Sequence, residues 1–208
     1  MAEMTDAVTS RATSGNPNPP GGPRSRAHAK RSSTRGVVEW IAILVAAVLV
    51  AFVLQRFVVQ AFYIPSGSME TTLIPGDRVL VNKLSYDLHA VHRGDIVVFS
   101  KPASDTTPNI KDLIKRVIGL PGEQISSGPD GAVLINGKPI SQPWLTPAAR
   151  TNPGPAITPQ VIPRGDYFMM GDNRGDSADS RIIGPIPSRL IVGRAFVRVW
   201  PLSSIDFF

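Results

Sequence analysis

The sequence predicts a mainly β protein, a barrel or sandwich, behind one N-terminal transmembrane helix and with a small inserted β subdomain. Three observations predict it. Residues 40–54 form an apolar run without a charge. Short β-rich runs follow, punctuated by Gly and Pro. Residues 143–163 then break that rhythm with Pro, Thr and Ala.

Residues 1–35 carry Arg11, Arg24, Arg26, Lys30, Arg31 and Arg35 against Glu3 and Asp6, which is +4 of the formal +6 of all 208 residues. Pro, Gly, Ser and Thr dominate the segment, and it has too little apolar surface to offset the entropy of ordering. It is expected to be a disordered, basic, cytoplasmic tail. A nucleic-acid binder carries its basic excess on a folded surface, so no nucleic-acid partner is expected.

Residues 36–59 are expected to be a transmembrane signal anchor. The apolar run reaches about 18 residues, near the lower limit for a bilayer-spanning helix. Phe57, Val58 and Val59 extend it if Arg56 snorkels to the interface. A buried core helix would show a polar face, and this run shows none. A cleavable signal peptide would be shorter and end in a small-residue site, and no clear Ala-x-Ala follows. Lys30, Arg31 and Arg35 precede the run, so the N-terminus is expected in the cytoplasm and residues 60–208 outside, at the plasma membrane in a single pass.

In residues 60–208, strands are expected at 78–81, 94–99, 110–120, 132–135, 138–140, 166–170 and 194–200. Asn136-Gly137 is a two-residue hairpin signal. Residues 122–164 read as the inserted subdomain. The chain has no Cys, which excludes disulfides, a thiol nucleophile and Cys-based zinc. His89 and His92 stand in a loop region and are not taken as metal ligands, so neither metal nor cofactor is expected.

The chemistry points to a serine and a lysine. Alternation along residues 110–120 puts Leu113, Lys115 and Val117 on one face and Ile114, Arg116 and Ile118 on the other. A lysine desolvated between apolar neighbours loses its proton more easily and then serves as a base. The same Lys115-Arg116 step also reads as a solvated basic surface. Ser66-Gly67-Ser68-Met69 offers a hydroxyl on a tight turn, and a hydroxyl needs a base beside it; as a lone motif it is also an ordinary turn. Residues 171–181 are dense in turn formers. They read either as a solvated loop or as a braced one, with Asp179 and Arg181 paired and Ser177 aimed at the base. The spacing does not fit a calcium loop.

Taken together these segments resemble the type I signal peptidases, the single-anchor Ser/Lys enzymes that remove signal peptides. The resemblance rests on Ile64-Pro65-Ser66-Gly67-Ser68-Met69, on Arg93-Gly94-Asp95-Ile96-Val97-Val98-Phe99, on Ile114-Lys115-Arg116-Val117-Ile118-Gly119-Leu120-Pro121-Gly122, and on the stretch from Gly171-Asp172-Asn173-Arg174 through Ser177, Asp179, Ser180 and Arg181. It covers the anchor and essentially all that follows. It implies a signal-peptidase-like fold with residues 60–208 as the catalytic domain. Ser68 would be the nucleophile and Lys115 the general base, with Ser66 in the oxyanion hole and Ser177 orienting the amine. Asp172, Arg174, Asp179 and Arg181 would be structural supports. Phe62, Ile64, Met69, Leu73 and Ile114 would line pockets for small residues at −1 and −3; Ile114 sits awkwardly, because alternation turns it away from Lys115. The implied partners are signal-peptide-bearing preproteins, membrane lipid and the export translocon. Thr71 stands where many members of the family have Pro. Two other readings fit parts of the pattern. A self-cleaving repressor relative would need a DNA-binding module in place of the anchor. A membrane-anchored β domain that binds exported peptides without cutting them differs only in activity.

Overall fold

The computed structural model describes residues 33–106, 108 and 110–208. The expected tail lies outside the described residues as far as residue 32. Helix α1 (Ser33–Phe57) begins three residues before the expected anchor and ends two before its expected limit. Neither Pro nor Gly interrupts it after Gly36. Leu, Val, Ile, Ala and Phe surround its axis, and residues Gly36–Gln55 reach a mean hydropathy of 2.8. At about 1.5 Å per residue the helix is long enough to cross the hydrocarbon layer. A helix that is apolar all round, with its side chains exposed, has the composition of a membrane span.

The remaining chain is mainly β. Its strands are β1 (Val59–Tyr63), β2 (Arg78–Asn82), β3 (Ile96–Ser100), β4 (Asp112–Gly119), β5 (Gln124–Ser127), β6 (Val133–Ile135), β7 (Lys138–Pro139), β8 (Gln160–Val161), β9 (Asp166–Met170), β10 (Ile186–Pro187), β11 (Ile191–Trp200) and β12 (Asp206–Phe207). A curled sheet runs β1-β2-β11-β3-β4-β9-β10, with β12 on β11. All its pairings are antiparallel. A second sheet, β7-β6-β5-β8, is built entirely from residues 124–161. Its hairpin turns at Asn136 and Gly137, both at positive φ (50° and 75°), the two-residue geometry that favours this dipeptide.

Side-chain alternation sorts the main sheet into two cores. In β3, Ile96 and Val98 join Ile64, Met69, Leu73, Val79, Val81, Ile114 and Ala195. Val97 and Phe99 join Val117, Met169, Ile183 and Ile186 on the other face. A third cluster welds the two sheets, with Ile118, Phe168 and Met170 packed on Ile125, Val133, Ile135, Ile157 and Ile162. Gly119 is required at that weld: a Cβ there would lie 2.3 Å from Ile162 Cδ1 and 3.0 Å from Phe168 Cβ. The strand expected over residues 110–120 is confined to β4, and β1 was hidden in the apolar chain that continues the anchor.

One feature of β4 positions the site. Strand β3 pairs with residues 112–116 of β4, whereas β9 pairs only from Arg116 onward. Residues 112–115 therefore have an open edge, with no strand beside it among the described residues.

Phe168, fully buried at the weld, gives a direct test of this packing. Phe168→Ala is expected to cost about 3–5 kcal/mol and lower the thermal midpoint in detergent. Phe207→Ala, at a residue 74% exposed, is expected to stay within about 0.5 kcal/mol of the parent.

Candidate active site

Two pieces of chain meet at one hydroxyl. The first is the 3-10 turn Gly67–Met69 that follows β1. Met69 and Leu73, both fully buried, sink into the core beside Ile64, which pins the turn from its C-terminal side. Ser68 is left half-buried and Ser66 exposed. The second piece is β4, which delivers Lys115 opposite Val97.

Lys115 Nζ lies 2.7 Å from Ser68 Oγ. Lys115 is only 3% exposed, which removes the solvated-surface reading of this residue. Burial strips water from the ammonium and pushes its pKa from 10.5 down to about 8, while Asp179, Asp105 and Asp172 pull it back up. The carboxylates moderate a shift that desolvation dominates. A useful fraction of the amine is then neutral at mildly alkaline pH, and a neutral amine accepts the hydroxyl proton.

A small cleft of about 40 Å³ opens at this pair, and Phe62, Ile64, Ser66, Ser68, Ile114 and Lys115 are among its walls. Met69 and Leu73 lie in the core and do not line it. Ile114 and Lys115 point to opposite faces of β4, yet both reach the cleft. It lies along the open edge of residues 112–115, so neither face is closed off. Larger cavities of about 320 and 470 Å³ lie by the second sheet, away from the Ser68–Lys115 pair; chemistry, not volume, marks the site.

The 171–181 loop is braced from within. Asp179 Oδ2 accepts from Gly171 N at 3.0 Å and from Arg181 Nη2 at 2.8 Å, and its Oδ1 accepts from Arg181 Nε at 2.8 Å. Both side chains of this pair are fully buried. Arg181 Nη1 also donates to Pro153 O at 2.7 Å. Arg174 Nε donates to Gly171 O at 3.1 Å; burial lowers its pKa to about 10, which leaves it cationic at neutral pH. The backbone at Gly171 passes so close to the nucleophile turn that a Cβ would lie 2.3 Å from both Ser68 O and Ser177 Oγ. Ser177 is thus beside Ser68. Its Oγ is buried and has no hydrogen-bond partner among the described residues, Lys115 included.

A model of the family described as "Signal peptidase, peptidase S26" matches residues 37–200. The chain belongs to that family. A signal peptidase I of Leptolyngbya laminosa is 40% identical over 146 residues, covering 69% of this chain and 70% of the relative. Signal peptidase IB of Staphylococcus aureus (strain MRSA252) is 34% identical over 185 residues, 82% of this chain and 93% of the relative. Among solved structures, a signal peptidase I from Enterococcus faecalis V583 is 32% identical at a TM-score of 0.43, covering 51% of this chain and 97% of that one.

Four supports of this candidate site, Arg116, Thr72, Trp144 and Asn173, were not singled out from sequence. Arg116, next to the lysine but on the other face, donates to Asp172 from Nε at 2.9 Å and from Nη2 at 2.6 Å. Asp172 also accepts from Thr72 Oγ1 at 2.5 Å. The Arg116 guanidinium lies 4.7 Å from the ring centre of Trp144, a cation–π contact from the 124–161 region. Asn173 holds the Ser68 turn itself: its Nδ2 donates to Gly67 O at 3.1 Å and its backbone N to Ser68 O at 3.2 Å. The signal for Arg116 was present, since a second cation in a strand buried on both faces needs a partner. Asn173 left none, because its partners are backbone carbonyls a hundred residues earlier.

The buried amine has a measurable cost. Its folded pKa is below the unfolded value, so between about pH 8 and 10.5 the unfolded chain binds more protons. Lys115 therefore destabilises the fold fully below about pH 8, and the penalty fades as pH rises to 10.5. Lys115→Met is expected to raise stability at pH 7 by up to about 3 kcal/mol and to lose that advantage above pH 10. Thermal unfolding across pH checks this; a constant difference between the proteins would contradict it.

Proposed function

We propose that the chain is a signal peptidase I that cuts exported preproteins after small residues at −1 and −3 (Ala-x-Ala), using Ser68 as nucleophile and Lys115 as general base. The observation that carries this is the 2.7 Å approach of a nearly fully buried lysine amine to a serine hydroxyl. Neutral Lys115 takes the Ser68 proton as Oγ attacks the scissile carbonyl carbon. The tetrahedral oxyanion is met by the Ser66 hydroxyl and the backbone N–H of Ser68. The C–N bond breaks, the lysine proton passes to the leaving amine, and an ester on Ser68 remains. Water gives its proton to Lys115, attacks the ester and frees Ser68. Ser177, buried near Ser68 without a hydrogen-bond partner among the described residues, would orient the amine by turning its hydroxyl toward Lys115. Asp172, Arg174, Asp179 and Arg181 hold the loop against the turn.

Small side chains at −1 and −3 suit a cleft of about 40 Å³ walled by Phe62, Ile64 and Ile114. Met69 and Leu73 shape it from behind. Helix α1 keeps the site at the bilayer and raises its effective concentration where signal peptides emerge, close to lipid and to the export translocon. Lys30, Arg31 and Arg35, ahead of the apolar run, argue for a cytoplasmic tail and an external β domain. Protease added to intact cells is expected to digest the β domain and spare residues 1–35; the reverse pattern would invert this topology.

The detergent-solubilised protein is expected to cut a preprotein bearing an Ala-x-Ala site after the second Ala. Ser68→Ala and Lys115→Ala should each lose the cut by about 10³-fold or more. The wild-type rate should rise through a pKa of about 8, set by Lys115. Failure to cut several substrates with lipid present would favour a peptide-binding module instead.

A further inference from the structure

Outside the dyad, a charged cavity of about 320 Å³ is bordered by Arg150, Arg174, Gln142, Ser141, Asp130 and Pro153. Two guanidinium groups converge on Gln142 there. Arg174 Nη2 donates to the Gln142 side-chain oxygen, and Arg150 Nη2 donates to Gln142 O at 3.1 Å. Arg174 is only 4% exposed. Its Nε and Nη2 are used, but its Nη1 donates to no described residue. Arg150 lies exposed in the last turn of α3 (Pro147–Thr151), counting the short helices Ser85–Leu88 as α2 and Pro147–Thr151 as α3. Asp130, the one acid at this wall, is exposed and engaged in its own turn, accepting from Ala132 N at 3.1 Å. Two cations, one with a guanidinium nitrogen that donates to no described residue, form a site for a carboxylate, which guanidinium binds through paired N–H groups.

The cavity is joined to the dyad through the loop. Arg174 follows Asn173, whose N–H holds Ser68 O, and its own Nε holds Gly171 O beside Ser68. The cleft lined by Phe62, Ile64 and Ile114 shares no wall residue with this cavity. If the signal-peptide side of a substrate fills that cleft, the chain beyond the cut leaves past Ser68 by another route. The Arg174 wall borders one such route, because Arg174 directly follows Asn173, whose N–H holds Ser68 O.

We propose that this cavity is a subsite for an acidic side chain, Asp or Glu, in the first several residues of the mature part of the preprotein. This rests on the peptidase reading above and adds a charge preference downstream of the cut. The occupant is peptide because the cavity adjoins the nucleophile loop, and its two arginines set the sign of charge it accepts.

The test uses the full-length protein in detergent and a preprotein series with Glu, Gln or Lys placed singly at positions +1 to +6. At one or two positions Glu is expected to give about tenfold higher kcat/KM than Gln, mainly through KM, and Lys to give less than Gln. In Arg150→Glu the order should invert, with Lys favoured over Glu at the same positions. The same peptides are titrated onto Ser68→Ala, where Kd should follow the same order without any cutting. Equal rates for Glu, Gln and Lys, or a preference unchanged in Arg150→Glu, would overturn the subsite while leaving the peptidase reading intact. No cutting together with charge-ordered binding would do the opposite. Binding of phosphatidylglycerol vesicles that is lost in Arg150→Glu, with no charge order among peptides, would assign the cavity to a lipid headgroup and overturn the proposal.

Discussion

Everything at this site follows from keeping one amine out of water. Lys115 is inserted into a strand buried on both faces, and the strand tolerates it because the deprotonated form has no charge to solvate. The nearby Asp179, Asp105 and Asp172 prevent the shift from going further. Without desolvation the amine would stay protonated at higher pH and could not act as the base proposed above; without the carboxylates the fold would carry a heavier penalty. The balance depends on packing, so the hydrophobic clusters of β3, β4 and β9 are part of the chemistry as well as of the fold.

The neighbouring cation is handled in the opposite way. Arg116 is given a bidentate carboxylate, a carbonyl from Gly94 at 2.8 Å and an aromatic face. Strand alternation sends the two side chains apart, so one site is stripped and the other saturated. Asp172 links Arg116 to the segment after the nucleophile through Thr72, while Asn173, the next residue, holds the nucleophile turn. Gly171 lets the loop come this close, since any side chain there would collide with Ser68 O and Ser177. The turn, β4 and the loop are thereby fixed to one another by contacts between residues 47 to 106 positions apart.

Much of this was legible in the residues. The charge-free run gave α1, the Gly-Asp and Asn-Gly turns gave the strands around them, and the Asp179–Arg181 pair lies where a braced loop required it. What was not legible depended on long-range geometry. β1 is a five-residue strand with mostly outward side chains, so its pattern blends into the anchor that precedes it. Alternation correctly placed Ile114 and Lys115 on opposite faces, but it carried no information on where β9 would start, and that start opens both faces to one cleft. Asn173 and Gly171 act on backbone atoms, which have no signature in sequence. The convergence of Arg150 and Arg174 at Gln142 joins two segments that read separately as loop.

The open edge of β4 has a consequence of its own. On the side away from β3, residues 112–115 present main-chain N–H and C=O groups that no strand among the described residues uses. A guest chain in extended form can complete the sheet there, with its amides and carbonyls as the points of attachment. Recognition by backbone is indifferent to most side chains, so a reader of this kind accepts many unrelated sequences and checks identity only where the walls crowd in. The edge is four residues long, begins at Asp112 and is preceded by Lys111, short and charged enough to discourage pairing between copies of the protein itself. Breadth toward guests and restraint toward itself thus come from the same stretch of strand.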